Sequence, residues 1–240
     1  MLAQWDVLGL MLPVGMLLGW MLNRAALAVP WLLARTWRLP IDMILRSTDP
    51  GSAQRRCIRA VGVQLVTGAL AMAIAWRIGL SSRAFAAAVF CGWIVLLGLI
   101  DFDTHLLPNL LTLPFMGCGL ACGLGGLFVP LSASLIGAIV GWAGLMAVHW
   151  GARLMTGRRD RIGQGDAKLL AVVGAWLGSG AVIDALFVAC LVCVVAVPAA
   201  RCSKATKSTA VFAFGPFLAI GGIASILAWP YRLADVVWGF

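Results

Sequence analysis

Long apolar stretches alternate with short charged ones along the whole chain, at about residues 7 to 22, 58 to 78, 84 to 100, 110 to 129, 131 to 150, 167 to 178, 181 to 199 and 209 to 229. Most are 16 to 22 residues long, the length a helix needs to cross the ~30 Å hydrocarbon layer. The pattern predicts an all-α, polytopic membrane protein with about eight transmembrane helices. The sixth block is short and opens directly after Asp166, so hydropathy alone scores it poorly. Topology argues for keeping it. With eight spans and the N-terminus outside, the inward loops are 23 to 57, 101 to 109, 151 to 166 and 200 to 208. Together with Arg59 and Lys168 at helix ends they hold 15 of the 18 Lys and Arg, as the positive-inside rule requires. Deleting the sixth span would put Arg201, Lys204 and Lys207 outside.

Composition agrees. The 240 residues are 62% apolar and 11% charged, which is too much apolar surface for a water-soluble globule of this size to hide. The formal charge of +9 does not indicate nucleic acid, because the basic residues sit in short loops between apolar blocks and not along one face. Of the seven cysteines, Cys91, Cys118, Cys122, Cys190 and Cys193 lie within apolar blocks, so all are read as reduced or buried. The N-terminus lacks a charged leader start and a small-residue cleavage site, so the first block is expected to remain in the mature protein. Residues 24 to 57 form the longest polar piece and are expected to be a cytoplasmic loop lying in the headgroup plane. Nothing repeats, and 1 to 240 reads as a single domain.

All nine acidic residues are Asp. Asp6, Asp42, Asp49, Asp160 and Asp235 fall in loops or termini, and Asp184 is expected to open the seventh span, facing the helix dipole. Asp101, Asp103 and Asp166 differ. Each sits where an apolar span meets the inner face, in segments dense with Gly and Pro: LIDFDTHLLPNLLTLP from Leu99 to Pro114, and RIGQGDAKLL from Arg161 to Leu170. Pro108 ends any helix before it and Pro114 disturbs the fourth span. Gly163 and Gly165 allow close backbone approach beside Asp166.

Two carboxyls brought together from different helices can share a proton, so that one draws a proton from water while the other polarises a peptide carbonyl. That is aspartic protease chemistry. Serine-histidine chemistry has no recognisable nucleophile beside His105 or His149, although His105 is placed to tune the Asp pair. Cys190-x-x-Cys193 and Cys118-x-x-x-Cys122 lie in apolar helices without partner ligands, so no metal is expected there. Two other readings stand beside the protease: helix ends with structural carboxylates, as in a silent assembly subunit, and a proton-coupled transporter, which also uses Asp near broken helices.

The two segments resemble the type IV prepilin peptidases, bacterial inner-membrane aspartic proteases of the GxGD class. In that family the first motif is Asp-x-Asp followed by Leu-Pro-Asn or Leu-Pro-Asp and Leu-Thr-Leu-Pro, which Asp101 to Pro114 matches, including Asp103, Pro108 and Asn109. The second is Gly-x-Gly-Asp-x-Lys-Leu-Leu, matched from Gly163 to Leu170, including Gly165 and Lys168, and continued by Gly174, Ala175 and Trp176. Fainter similarity covers Ala75 to Gly79, Phe214 to Phe217 and Gly221-Gly222. The resemblance implies that Asp101 and Asp166 are the catalytic pair, with Asp103 the runner-up for the first role. It implies a prepilin or pseudopilin precursor as the protein substrate, cut at the cytoplasmic face of the inner membrane. Both termini would then be periplasmic, and no cofactor is called for.

The N-terminal region departs from the pattern. Many members carry two Cys-x-x-Cys pairs that bind zinc in the first cytoplasmic loop, and also methylate the new N-terminus. Gly19, Leu22 and Asn23 resemble the start of that region, but residues 24 to 57 contain only Cys57. No zinc is expected, and methyl transfer to the product is not expected from so short a loop.

Overall fold

Helices account for the apolar blocks. In a computed structural model, residues 4–37, 53–156, 164–202 and 213–229 are described, and they form seven α-helices with no strand among them. These are α1 (Gln4–Trp37), α2 (Ala53–Ile78), α3 (Ser82–Thr104), α4 (Asn109–Leu124), α5 (Leu131–Thr156), α6 (Gln164–Cys202) and α7 (Gly215–Ala228). Five are long and apolar enough to cross a membrane, while α4 and α7 are shorter apolar helices. Leu17, Leu65, Ile139, Val148, Phe187 and Val194 stand exposed along them, where a soluble helix would carry polar residues. The fold is that of a multi-pass helical membrane protein.

The sixth and seventh blocks fall on the two arms of α6, 164–177 and 179–202, joined at Gly178 with φ 82° and ψ 178°. That backbone conformation is essentially restricted to glycine, so one residue suffices to redirect the chain. Helix resumes at once, and this changes the place of Asp184. It lies beyond the first turn of the second arm and is buried, outside the reach of the helix-end charge expected for it.

Residues 24 to 57, expected as a loop, begin and end as helix. The Ala- and Leu-rich run after Arg24 extends α1 to Trp37, because these residues keep helix propensity beyond the apolar block. At the other end α2 already starts at Ala53. Residues 38–52 lie outside the described residues.

Two compact units divide the chain, Met1–His105 and Leu106–Phe240. In the first, α1 packs on α2 and α3. Gly15 and Gly19, one turn apart, lie against Thr67 on α2, so close that a Cβ on Gly15 would stand 2.6 Å from the Thr67 carbonyl oxygen. In the second, α6 packs against α4, α5 and α7. Its first arm is the interior of that unit, with every residue from 169 to 178 buried.

Candidate active site

The end of α3 carries the first motif. Ser81 starts this helix, its side chain accepting from the Ala84 N–H at 3.2 Å, an N-cap that satisfies one free donor. Asp101 lies in the last turn and is buried, at 6% exposure. The turn ends at His105, which takes the left-handed conformation (φ 51°, ψ 28°) and donates its N–H to the Asp101 carbonyl at 2.8 Å. His105 is exposed, and it meets the motif through this backbone cap. Asp103, still within α3, turns to a different neighbour: its Oδ1 accepts from Arg59 Nη1 of α2 at 2.6 Å.

Pro108 then opens α4 from an extended conformation, φ −69° and ψ 129°. Its carbonyl accepts from the N–H groups of Leu111 (3.1 Å) and Thr112 (3.2 Å) and from the Thr112 hydroxyl (3.2 Å). Proline lacks an N–H that would go unused at this place. Pro114, inside α4, is carried without ending the helix.

Asp166 stands in the first turn of α6, half-buried, where unpaired backbone N–H groups favour a negative charge. Two contacts seat this turn against the first motif, both inside the second unit. Lys168 Nζ donates to Asn109 Oδ1 at 2.7 Å. A Cβ on Gly165 would come within 3.1 Å of Leu107 Cδ1. Gly165 therefore has Leu107 of the first motif over it. Gly163 lies outside the described residues.

The tail of the second motif packs. Trp176 donates its indole N–H to the Phe115 carbonyl at 3.0 Å, its ring lies 4.9 Å from that of Phe115, and it covers Gly119. Gly174 meets Gly137 of α5 backbone to backbone. Among the described residues no group of three or more His, Cys, Asp or Glu gathers as a metal site would. Cys57 is exposed on α2, so the donors described here do not fit the zinc of the first loop.

Sequence reasoning missed Arg59, Leu107 and the indole of Trp176 as parts of this arrangement. Arg59 had been absorbed into the count of inward charges. Its partner lies 44 residues away, and no local pattern marks the pair.

Fold and site together define a multi-pass membrane protein with a carboxylate at each of two helix ends, one in each motif. The model of the type IV leader peptidase family matches residues 88–197. The prepilin leader peptidase/N-methyltransferase of Xanthomonas campestris pv. campestris is 34% identical over 193 residues, covering 80% of this chain and 67% of that protein. The Pseudomonas putida protein of the same name is 36% identical over 196 residues (80% and 68%), and that of Burkholderia pseudomallei 36% over 177 residues (72% and 57%). The chain belongs to the type IV leader peptidase family. It spans between 57% and 68% of these three relatives' own length. No solved structure matches it.

Proposed function

We propose that this protein is a membrane aspartic endopeptidase that removes the leader peptide of type IV prepilin-like or pseudopilin precursors, with Asp101 and Asp166 as its catalytic carboxyls. The observation that carries the reading is the seating of the two motif segments on each other within the second unit, Leu107 over Gly165 and Asn109 bonded to Lys168. The names of the relatives supply the substrate class.

The two helix ends are electrostatically unlike, Asp166 at the start of α6 and Asp101 at the end of α3. We assign Asp166 as the carboxylate that takes a proton from water, and Asp101 as the acid that protonates the scissile carbonyl oxygen. The resulting hydroxide attacks the carbonyl carbon and a tetrahedral diol forms. One hydroxyl returns its proton to Asp101 as the C–N bond breaks, and the proton on Asp166 passes to the leaving amine. One water is consumed. The products are a leader with a new carboxylate and a mature protein with a new N-terminus. The substrate's hydrophobic helix lies in the bilayer, presenting the bond at the inner face.

In this reading the chain is one functional domain with about eight spans in the bacterial inner membrane. Its termini are periplasmic and its site cytoplasmic. Arg59, Arg153 and Lys168 are then near inner helix ends, with Arg77 and Arg83 opposite. Purified protein incubated with a prepilin should shorten it by the leader, read by intact mass; a prepilin that is bound but never shortened overturns the peptidase reading in favour of an assembly subunit.

Gly165→Val should lower the cleavage rate about tenfold to a hundredfold, because the new side chain displaces Leu107 and with it the seating of the first motif. Leu107→Ala, by vacating that space, should restore most of the loss. No restoration would mean that Gly165 serves something other than this contact.

The relatives' names include N-methyltransferase, and we read this chain as a peptidase without that second activity. Chelator should leave cleavage unchanged and Cys57→Ser should be silent, because a proton-sharing carboxyl pair needs no Lewis acid. Adding S-adenosylmethionine should leave the product mass unchanged. A gain of one methyl that depends on this protein would show the short loop to be sufficient for methyl transfer.

A further inference from the structure

We propose that Arg59 is a positioning residue for the catalytic end of α3, acting through Asp103; the proposal rests on the reading of Asp101 as a catalytic carboxyl. Asp101 occupies a terminal turn, where a helix holds its shape least well. Three bonds at that turn bear on its position. The Thr104 hydroxyl donates to the Ile100 carbonyl at 2.7 Å, the His105 N–H donates to the Asp101 carbonyl at 2.8 Å, and Asp103 accepts from Arg59 at 2.6 Å. The first two lie within the turn and move with it. Only the third of these ties it to another helix. Arg59 sits near the start of α2 and Asp103 near the end of α3, so the pair joins antiparallel neighbours at the level of Asp101.

The side chains of Arg59 and Asp103 are 26% and 14% exposed. Arg59 Nε and Nη2 and Asp103 Oδ2 are buried with no further hydrogen-bond partner among the described residues. Neither member has a substitute for the other, so loss of one strands its partner in a poorly solvated place. A freely solvated surface pair would hold nothing in place. Loss of Arg59 would leave an uncompensated Asp103 carboxylate, and the turn would shift to expose it, taking Asp101 along.

The test is a double-mutant cycle on prepilin cleavage by the full chain, with kcat and KM separated and rates normalised to inserted protein. Asp103→Asn should lower kcat about tenfold, and Arg59→Met about thirtyfold, with KM unchanged in both. The double variant should return to the level of Asp103→Asn, because the stranded carboxylate is gone. Arg59→Lys should keep at least a third of the wild-type kcat. The swap of Arg59→Asp with Asp103→Arg should exceed Arg59→Asp alone by about tenfold, which excludes simple misfolding at position 59. Additive losses in the double variant, or a swap no better than Arg59→Asp alone, overturn the proposal. Asp101→Asn is measured beside them: if it cleaves normally, the reading of Asp101 falls, while coupling between positions 59 and 103 would still appear in the cycle.

Discussion

Asp101→Asn and Asp166→Asn will each lower prepilin cleavage by about 10³-fold or more while leaving the amount of inserted protein unchanged. Each change removes a proton site that the reaction uses twice, once in attack and once in collapse of the diol, and loss of a positioned acid or base costs on that scale. The double variant should be little worse than either single one, because two carboxyls that share one task do not lose it twice. Asp103→Asn separates the two candidates of the first motif. Its carboxylate is engaged by Arg59, whereas Asp101 is buried in the preceding part of the turn, so activity should survive at position 103 and vanish at 101. A dead Asp103→Asn beside an active Asp101→Asn would reverse the assignment.

The sequence made the helices legible because the bilayer requires long apolar runs, and these can be counted. It could not distinguish which apolar helices meet lipid and which form the interior. The sixth block, too short to look like a span, is the most enclosed described segment of its unit, with Leu169 to Leu177 buried and both α4 and α5 packed against it. The seventh block has a similar composition, yet exposes Ile183, Phe187, Leu191 and Val194. Periodicity is silent where nearly every position is apolar. The two apolar blocks fall within three residues of the bounds of the two arms, although Gly178 links them inside one α6.

For the site, the motifs identified the carboxylates but not what holds them. Asn109 and Lys168 are 59 residues apart and Arg59 and Asp103 are 44 apart, distances over which a single sequence gives no pairing. Only the fold shows that the second motif has two parts. Its head, Gly165 to Lys168, faces the first motif, and its tail, Gly174 to Trp176, fastens α6 to α4 and α5.

That division predicts a second large effect, of a different kind. Gly174→Val should destabilise the protein by about 3 kcal/mol or more and abolish cleavage with it. A Cβ at position 174 would run into the backbone carbonyl of Gly137, and a Cβ at 137 would in turn meet the carbonyl of Gly174. The two helices touch through their main chains, as close packing of membrane helices through small residues allows. Gly141 continues the contact one turn on, where a Cβ would stand 2.6 Å from the Leu170 carbonyl oxygen. What distinguishes this site from Gly165 is the nature of the neighbour. Leu107 is a side chain and can be trimmed, but nothing at position 137 is left to remove. Val182, whose Cγ2 would be 2.9 Å away, is only the lesser obstacle, so Val182→Ala should not rescue Gly174→Val. The check is thermal unfolding of the detergent-solubilised variant beside its cleavage rate: early melting with lost activity is expected. A variant that melts like wild type but cannot cleave would place Gly174 in the chemistry and dissolve the distinction between the motif's head and its tail.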